Sequence, residues 1–188
     1  MGNPLCVTSH TVDPRSQALL AVIKDAYDNN AYNAAGDALR AFADSCDAAS
    51  AGNVAEAIKI AYDNNAYNAA GDALRAFADS CDAASAGNVA EAIKIAYDNN
   101  AYNAAGDALR AFAERCGVLA PQSVAFAIGA AYDNNAYDAA GDAARLFSRP
   151  SEVRSGAIFI LGGIQTRSQA KPEGILEKLM KMDWSIPF

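Results

Sequence analysis

The chain has 188 residues, 52% of them hydrophobic and 20% charged, a balance that excludes a disordered polar tract. Its 15 Lys and Arg against 22 Asp and Glu give a formal net charge of -7, which argues against nucleic acid and anionic membrane as partners. A single domain of this size hides roughly 70% of the surface of its extended chain, so it needs no disulfide or metal staple.

Residues 1–15 show no basic leader and no apolar run, and no secretory signal is expected there. No stretch supplies roughly 18 apolar residues in succession, so no membrane span is expected. His10, the one histidine, reads as a solvated loop residue. Asp13-Pro14 opens the first helix, because Asp caps well and Pro presets the first helical φ. Residues 1–25 therefore read as an N-terminal segment with a capping helix.

From Ala26 the chain repeats itself. Residues 26–60 and 61–95 are the same string of 35 residues, and 96–113 copies its first 18. Residues 131–148 match 14 of those 18. The copies start at Ala26, Ala61, Ala96 and Ala131, and all eight Tyr fall inside them. A period of this size marks stacked units that pack on their neighbours. The repeats occupy residues 26–148, and 149–188 read as a C-terminal capping segment of the same compact domain.

Within one copy, Asn53 to Tyr62 reads as a helix. Asn53 with Glu56 forms a capping-box pattern, and Val54, Ala57, Ile58 and Ala61 line one stripe. Asp63-Asn64-Asn65 reads as a tight turn, with Asn65 or a neighbour capping the next helix. The second helix carries two adjoining strips. Tyr67, Ala70, Leu74, Phe77 and Cys81 are bulky, while Ala66, Ala69, Ala73, Ala76 and Ser80 are small. Asn68, Asp72, Arg75 and Asp79 complete a polar face. The small strip predicts a close helix crossing, and Gly71 marks either that crossing or a late helix start. Asp82 to Gly87 reads as the loop to the next copy.

The fold class expected is thus all-α: tandem 35-residue helical hairpins stacked as a short α-solenoid. The alternative is an up-and-down bundle with one long helix per copy, since the period equals five heptads. In the fourth copy Ala144 and Leu146 stand where Leu74 and Ala76 stand, which predicts altered packing in a terminal unit. Arg149-Pro150 ends the array. Residues 157–161 would suit a short buried element, residues 172–183 a last helix, and Trp184 a cover for the core.

Chemistry is expected to be absent. No phosphate-binding loop, dinucleotide fingerprint, nucleophile elbow or zinc-protease motif occurs, and every paired carboxylate is a repeated surface position. No catalytic residue, cofactor or metal ligand is therefore assigned. Cys46, Cys81 and Cys116 follow the period, and Cys6 lies outside it. Neighbouring units about 9–10 Å apart would hold these sulfurs too far apart to bond, so small buried thiols and a cytoplasmic compartment are expected.

One edge could bind. Stacking would align Asp28, Asn29, Asn30 and Tyr32 with Asp63, Asn64, Asn65 and Tyr67. Asp98, Asn99, Asn100 and Tyr102, then Asp133, Asn134, Asn135 and Tyr137, continue the ladder. Its amides, carboxylates and phenols repeat the same donors and acceptors, which suits an extended partner. The competing reading has the Asn as caps and the Tyr as filling between units.

In period and hairpin outline the unit is similar to tetratricopeptide repeats, of about 34 residues, and to pentatricopeptide repeats. The tetratricopeptide Trp, Leu-Gly and terminal Pro positions are missing, and an RNA-reading pentatricopeptide array implies a basic chain, so no residue is carried over. The function expected is a non-enzymatic scaffold that binds another protein. The alternatives are an acidic antagonist of a basic protein, since each full copy nets −3, and an engineered or structural array without a ligand.

Overall fold

A computed structural model describes residues 13–148. Among these the chain is all-helical, with eight helices and no strand. They are α1 (Pro14–Asp28), α2 (Tyr32–Asp44), α3 (Ala51–Asp63), α4 (Tyr67–Ser80), α5 (Ala86–Asp98), α6 (Tyr102–Cys116), α7 (Pro121–Asp133) and α8 (Tyr137–Phe147). Successive pairs form four helical hairpins. α1, α3, α5 and α7 pack in order as one layer, and α2, α4, α6 and α8 as the other, giving a short α-solenoid.

The Asp-Asn-Asn triplet makes the hairpins. Asn30, Asn65, Asn100 and Asn135 lie in the left-handed region, at φ of 59°, 60°, 59° and 61°. That conformation costs most L-residues about 1–2 kcal/mol and is tolerated by Asn. At the second turn the Asn65 N–H donates to the Tyr62 carbonyl and the Ala66 N–H to the Ala61 carbonyl, both at 2.9 Å. This pairing closes α3 as a Schellman motif. A helix cannot run through such a residue, which removes the one-helix-per-copy alternative. It also corrects the expected cap: the Asn residues close the helix before them. The N-cap of α4 is Ala66, whose side chain makes no capping bond.

Other boundaries shift too. α3 begins at Ala51, so Asn53 is inside the helix and is not its cap. The Asn53 amide instead donates to Ser16 Oγ on α1 at 2.8 Å, joining two hairpins. The loop before α5 is held by Asp82, whose carboxylate accepts from the Ser85 N–H at 2.8 Å and whose own N–H donates to Ser85 Oγ. The Ser85 N–H and the Ser85 hydroxyl, both donating to the carboxylate at 2.8 Å, hold Asp82 below the usual carboxylate range, as Ser50 does for Asp47. Asp13 caps α1 as expected, accepting from the Arg15 and Ser16 amides.

The core runs unbroken along the stack. Val54, Ile58, Leu74 and Phe77 are fully buried, and so are their copies Val89, Ile93, Leu109 and Phe112. The small strip does bring helices close: a Cβ built on Gly36, Gly71 or Gly106 would lie 3.0, 2.9 or 3.3 Å from the Cβ of Ala69, Ala104 or Ala139 on the next hairpin. Gly71 is therefore a crossing point inside α4. In the terminal hairpin Ala144 and Leu146 are half-buried, and Gly141 has open space. Residues 1–12 and 149–188, including Cys6, His10, the apolar stretch 157–161, the helix expected over 172–183 and Trp184, lie outside the described residues.

Candidate partner-binding edge

Each turn builds the same rung. Asp28, Asp63, Asp98 and Asp133 are the last residues of their helices. Asn29, Asn64, Asn99 and Asn134 follow at the C-cap, and their amides donate back to the Asp25, Ile60, Ile95 and Ala130 carbonyls at 2.8–3.0 Å. These four asparagines cap their own helices. Asn30, Asn65, Asn100 and Asn135 turn the chain, and their Oδ1 atoms accept from the hydroxyls of Tyr32, Tyr67, Tyr102 and Tyr137 at 2.9, 3.3, 3.0 and 2.8 Å. Neighbouring rungs meet where the Asn134 amide donates to the Asp98 carboxylate at 3.3 Å.

The tyrosines divide into two rows. Tyr32, Tyr67 and Tyr102 are each 44% exposed and Tyr137 is 58% exposed, the largest aromatic surface along this edge. Each leans on the tyrosine five residues earlier, with ring centroids 6.0–6.3 Å apart and tilted planes. Tyr27, Tyr62 and Tyr97 are buried, and their hydroxyls have no hydrogen-bond partner. Burial pushes their ionisation up, for Tyr97 to about 12, with the Arg110 charge opposing it. One row of tyrosines therefore fills space, and the other faces solvent.

The edge carries less charge than its composition suggests. Lys24, Lys59 and Lys94 pair one turn away with Asp28, Asp63 and Asp98. Ion pairs also cross the outer face of the even helices. Arg40 bridges to Asp72 of the next hairpin at 2.9 Å, and Arg110 to Asp142 at 3.4 Å, whereas Arg75 turns to Asp79 in its own helix. The depression lined by Arg75, Asp79, Asp107, Arg110 and Glu114 belongs to this charged face.

The cysteine expectation needs correction. The Cys81 and Cys116 sulfurs are 2.7 Å apart and buried, where spacing between helix axes implied 9–10 Å. The difference comes from the helix ends. Cys81 has left α4 with extended backbone, while Cys116 is still the last residue of α6. Side chains that lean toward each other from two helix tips meet although the axes do not. Arg115, which the sequence reading passed over, fixes this contact by donating from Nε to the Cys81 carbonyl at 2.7 Å. Its signal was present: Glu114-Arg115 interrupts the Asp-Ser of the other copies.

Among the described residues no group of three or more His, Cys, Asp or Glu could hold a metal ion, and no helix is long and apolar enough to cross a membrane. No family model matches this chain, and no curated protein or solved structure matches it.

Proposed function

We propose that this chain is a non-enzymatic interaction scaffold that binds another protein along the Asn–Tyr edge. The observation that carries the reading is the row of exposed phenols, each held by an Asn acceptor and backed by a second aromatic ring. Such rings offer large amphipathic contact area at little further entropic cost, which is what binding anchors need. Helices pack about 8–10 Å apart, and an extended chain rises about 3.3 Å per residue. One rung thus corresponds to about three residues of an extended polypeptide. The Lys–Asp pairing along the edge favours this reading over an acidic antagonist, whose carboxylates would need to be free. The repetition of every candidate polar group in several copies favours a binding role over catalysis, and the reading is of a cytoplasmic protein with no cofactor.

The test is an immobilised array of unrelated peptides, probed with the full chain and with a Tyr67→Ala, Tyr102→Ala variant. Peptides retained by the native chain should bind the variant at least about tenfold more weakly, while its helical circular dichroism stays intact. Equal retention by both, or no peptide retained by the native chain, overturns the proposal.

A further inference from the structure

We propose that Cys81 and Cys116 form a redox-responsive pair that closes a disulfide between the second and third hairpins. Three observations point there. The two sulfurs are already in contact at 2.7 Å. Both side chains are buried, 2% and 0% exposed, so neither is an incidental surface thiol. The Arg115 bond to the Cys81 carbonyl holds the two helix ends together from outside the thiol pair. The same string sits one period earlier, and both Cys46 and Cys81 face the carbonyl of the next residue, at 3.4 and 3.2 Å, yet the Cys46 sulfur is half-exposed and has Ser50 Oγ at 3.8 Å in place of a second sulfur. The pairing therefore comes from the altered end of α6.

The chemistry is thiol–disulfide exchange with a low-molecular-weight disulfide as oxidant. The Arg115 charge favours a thiolate in this pair, and burial opposes it. Either sulfur opens the exchange as its thiolate, which attacks one sulfur of the small disulfide and breaks its S–S bond. The departing small thiolate takes up the proton that the attacking cysteine gave up. The sulfur of the other cysteine then attacks the first in the mixed disulfide and expels the second small thiol, which leaves with that cysteine's proton. In balance, two protein thiols lose two electrons and two protons, and one small disulfide becomes two thiols. Residues 82–84, next to Cys81, are exposed and provide the route in. The product is a covalent tie between adjacent hairpins that reduction removes. Such transient bonds suit a compartment that otherwise keeps thiols reduced.

The experiment incubates the full folded chain with oxidised glutathione and reads its intact mass. Tryptic peptides 41–59 and 76–94 have identical sequences, so mapping alone does not separate Cys46 from Cys81. A chain carrying Cys6→Ser and Cys46→Ser removes that ambiguity. The expected result is a loss of two hydrogens in both chains, peptide 76–94 joined to 116–145, and reversal by dithiothreitol. Cys116→Ser should abolish the two-hydrogen loss. An unchanged mass, glutathione adducts without a cross-link, or a native chain whose two-hydrogen loss survives Cys116→Ser would overturn the assignment.

Discussion

Gly71 of α4 meets Ala104 of α6 so closely that a Cβ on the glycine would fall 2.9 Å from the alanine methyl. Gly141, the same position in the last hairpin, faces open space. The two should respond oppositely to alanine. Gly141→Ala gains helix propensity and should stabilise by about 0.5–1 kcal/mol. Gly71→Ala makes the same gain but forces two backbones apart, so it should destabilise by about 1–3 kcal/mol net. Urea unfolding of both variants checks the contrast, and the same sign at both sites would contradict it.

Leu74 and Ala73 probe the two strips of α4, since both are fully buried. Leu74→Ala should cost about 2–5 kcal/mol through lost transfer energy and a residual cavity. Ala73→Leu should cost about 1–3 kcal/mol through overpacking. Thermal melting that leaves either variant unchanged would show that its strip is not a contact.

Asn65 is held at φ 60°, where it serves the turn. Asn65→Gly should be within about 1 kcal/mol of native, because glycine takes this conformation freely and loses only an exposed bond to Tyr67. Asn65→Ala should cost about 1–2 kcal/mol. Denaturant melts of the pair separate the backbone role from the side-chain role.

Tyr97 makes stability depend on alkaline pH. Its hydroxyl ionises near 10.0 in an ordinary environment and is pushed up to about 12 by burial. Below the lower value both states keep the proton, and the full contribution is present. As pH rises between the two values the unfolded chain ionises first, so stability falls by about 1–3 kcal/mol. Tyr97→Phe should flatten that part of the decline. At neutral pH it should cost less than about 1 kcal/mol, because the hydroxyl has no partner to lose. Urea titrations at neutral pH and at about pH 11 measure both effects.

The hairpin fold was legible because the period, the polar triplet and the two strips of Tyr67–Ser80 all pointed the same way. The role of Asn65 was not legible in detail. A polar residue between two helices can close one or open the next, and only backbone geometry decides. Asn53 misled because a capping pattern also occurs inside a helix, where the amide found Ser16 across the interface. The division of tyrosines into Tyr62 inside and Tyr67 outside follows from one turning the last helical corner and the other beginning the next helix. The Cys81–Cys116 contact escaped because helix spacing says little about side chains at helix tips.

The proposal of an Asn–Tyr binding edge is tested most directly by nuclear magnetic resonance of a chain labelled at tyrosine, titrated with the peptide best retained by the array. Signals of Tyr32, Tyr67, Tyr102 and Tyr137 should shift or broaden as peptide is added, with smaller changes at the buried Tyr27, Tyr62 and Tyr97. Binding that leaves the four exposed rings unmoved would place the contact surface elsewhere and contradict the account.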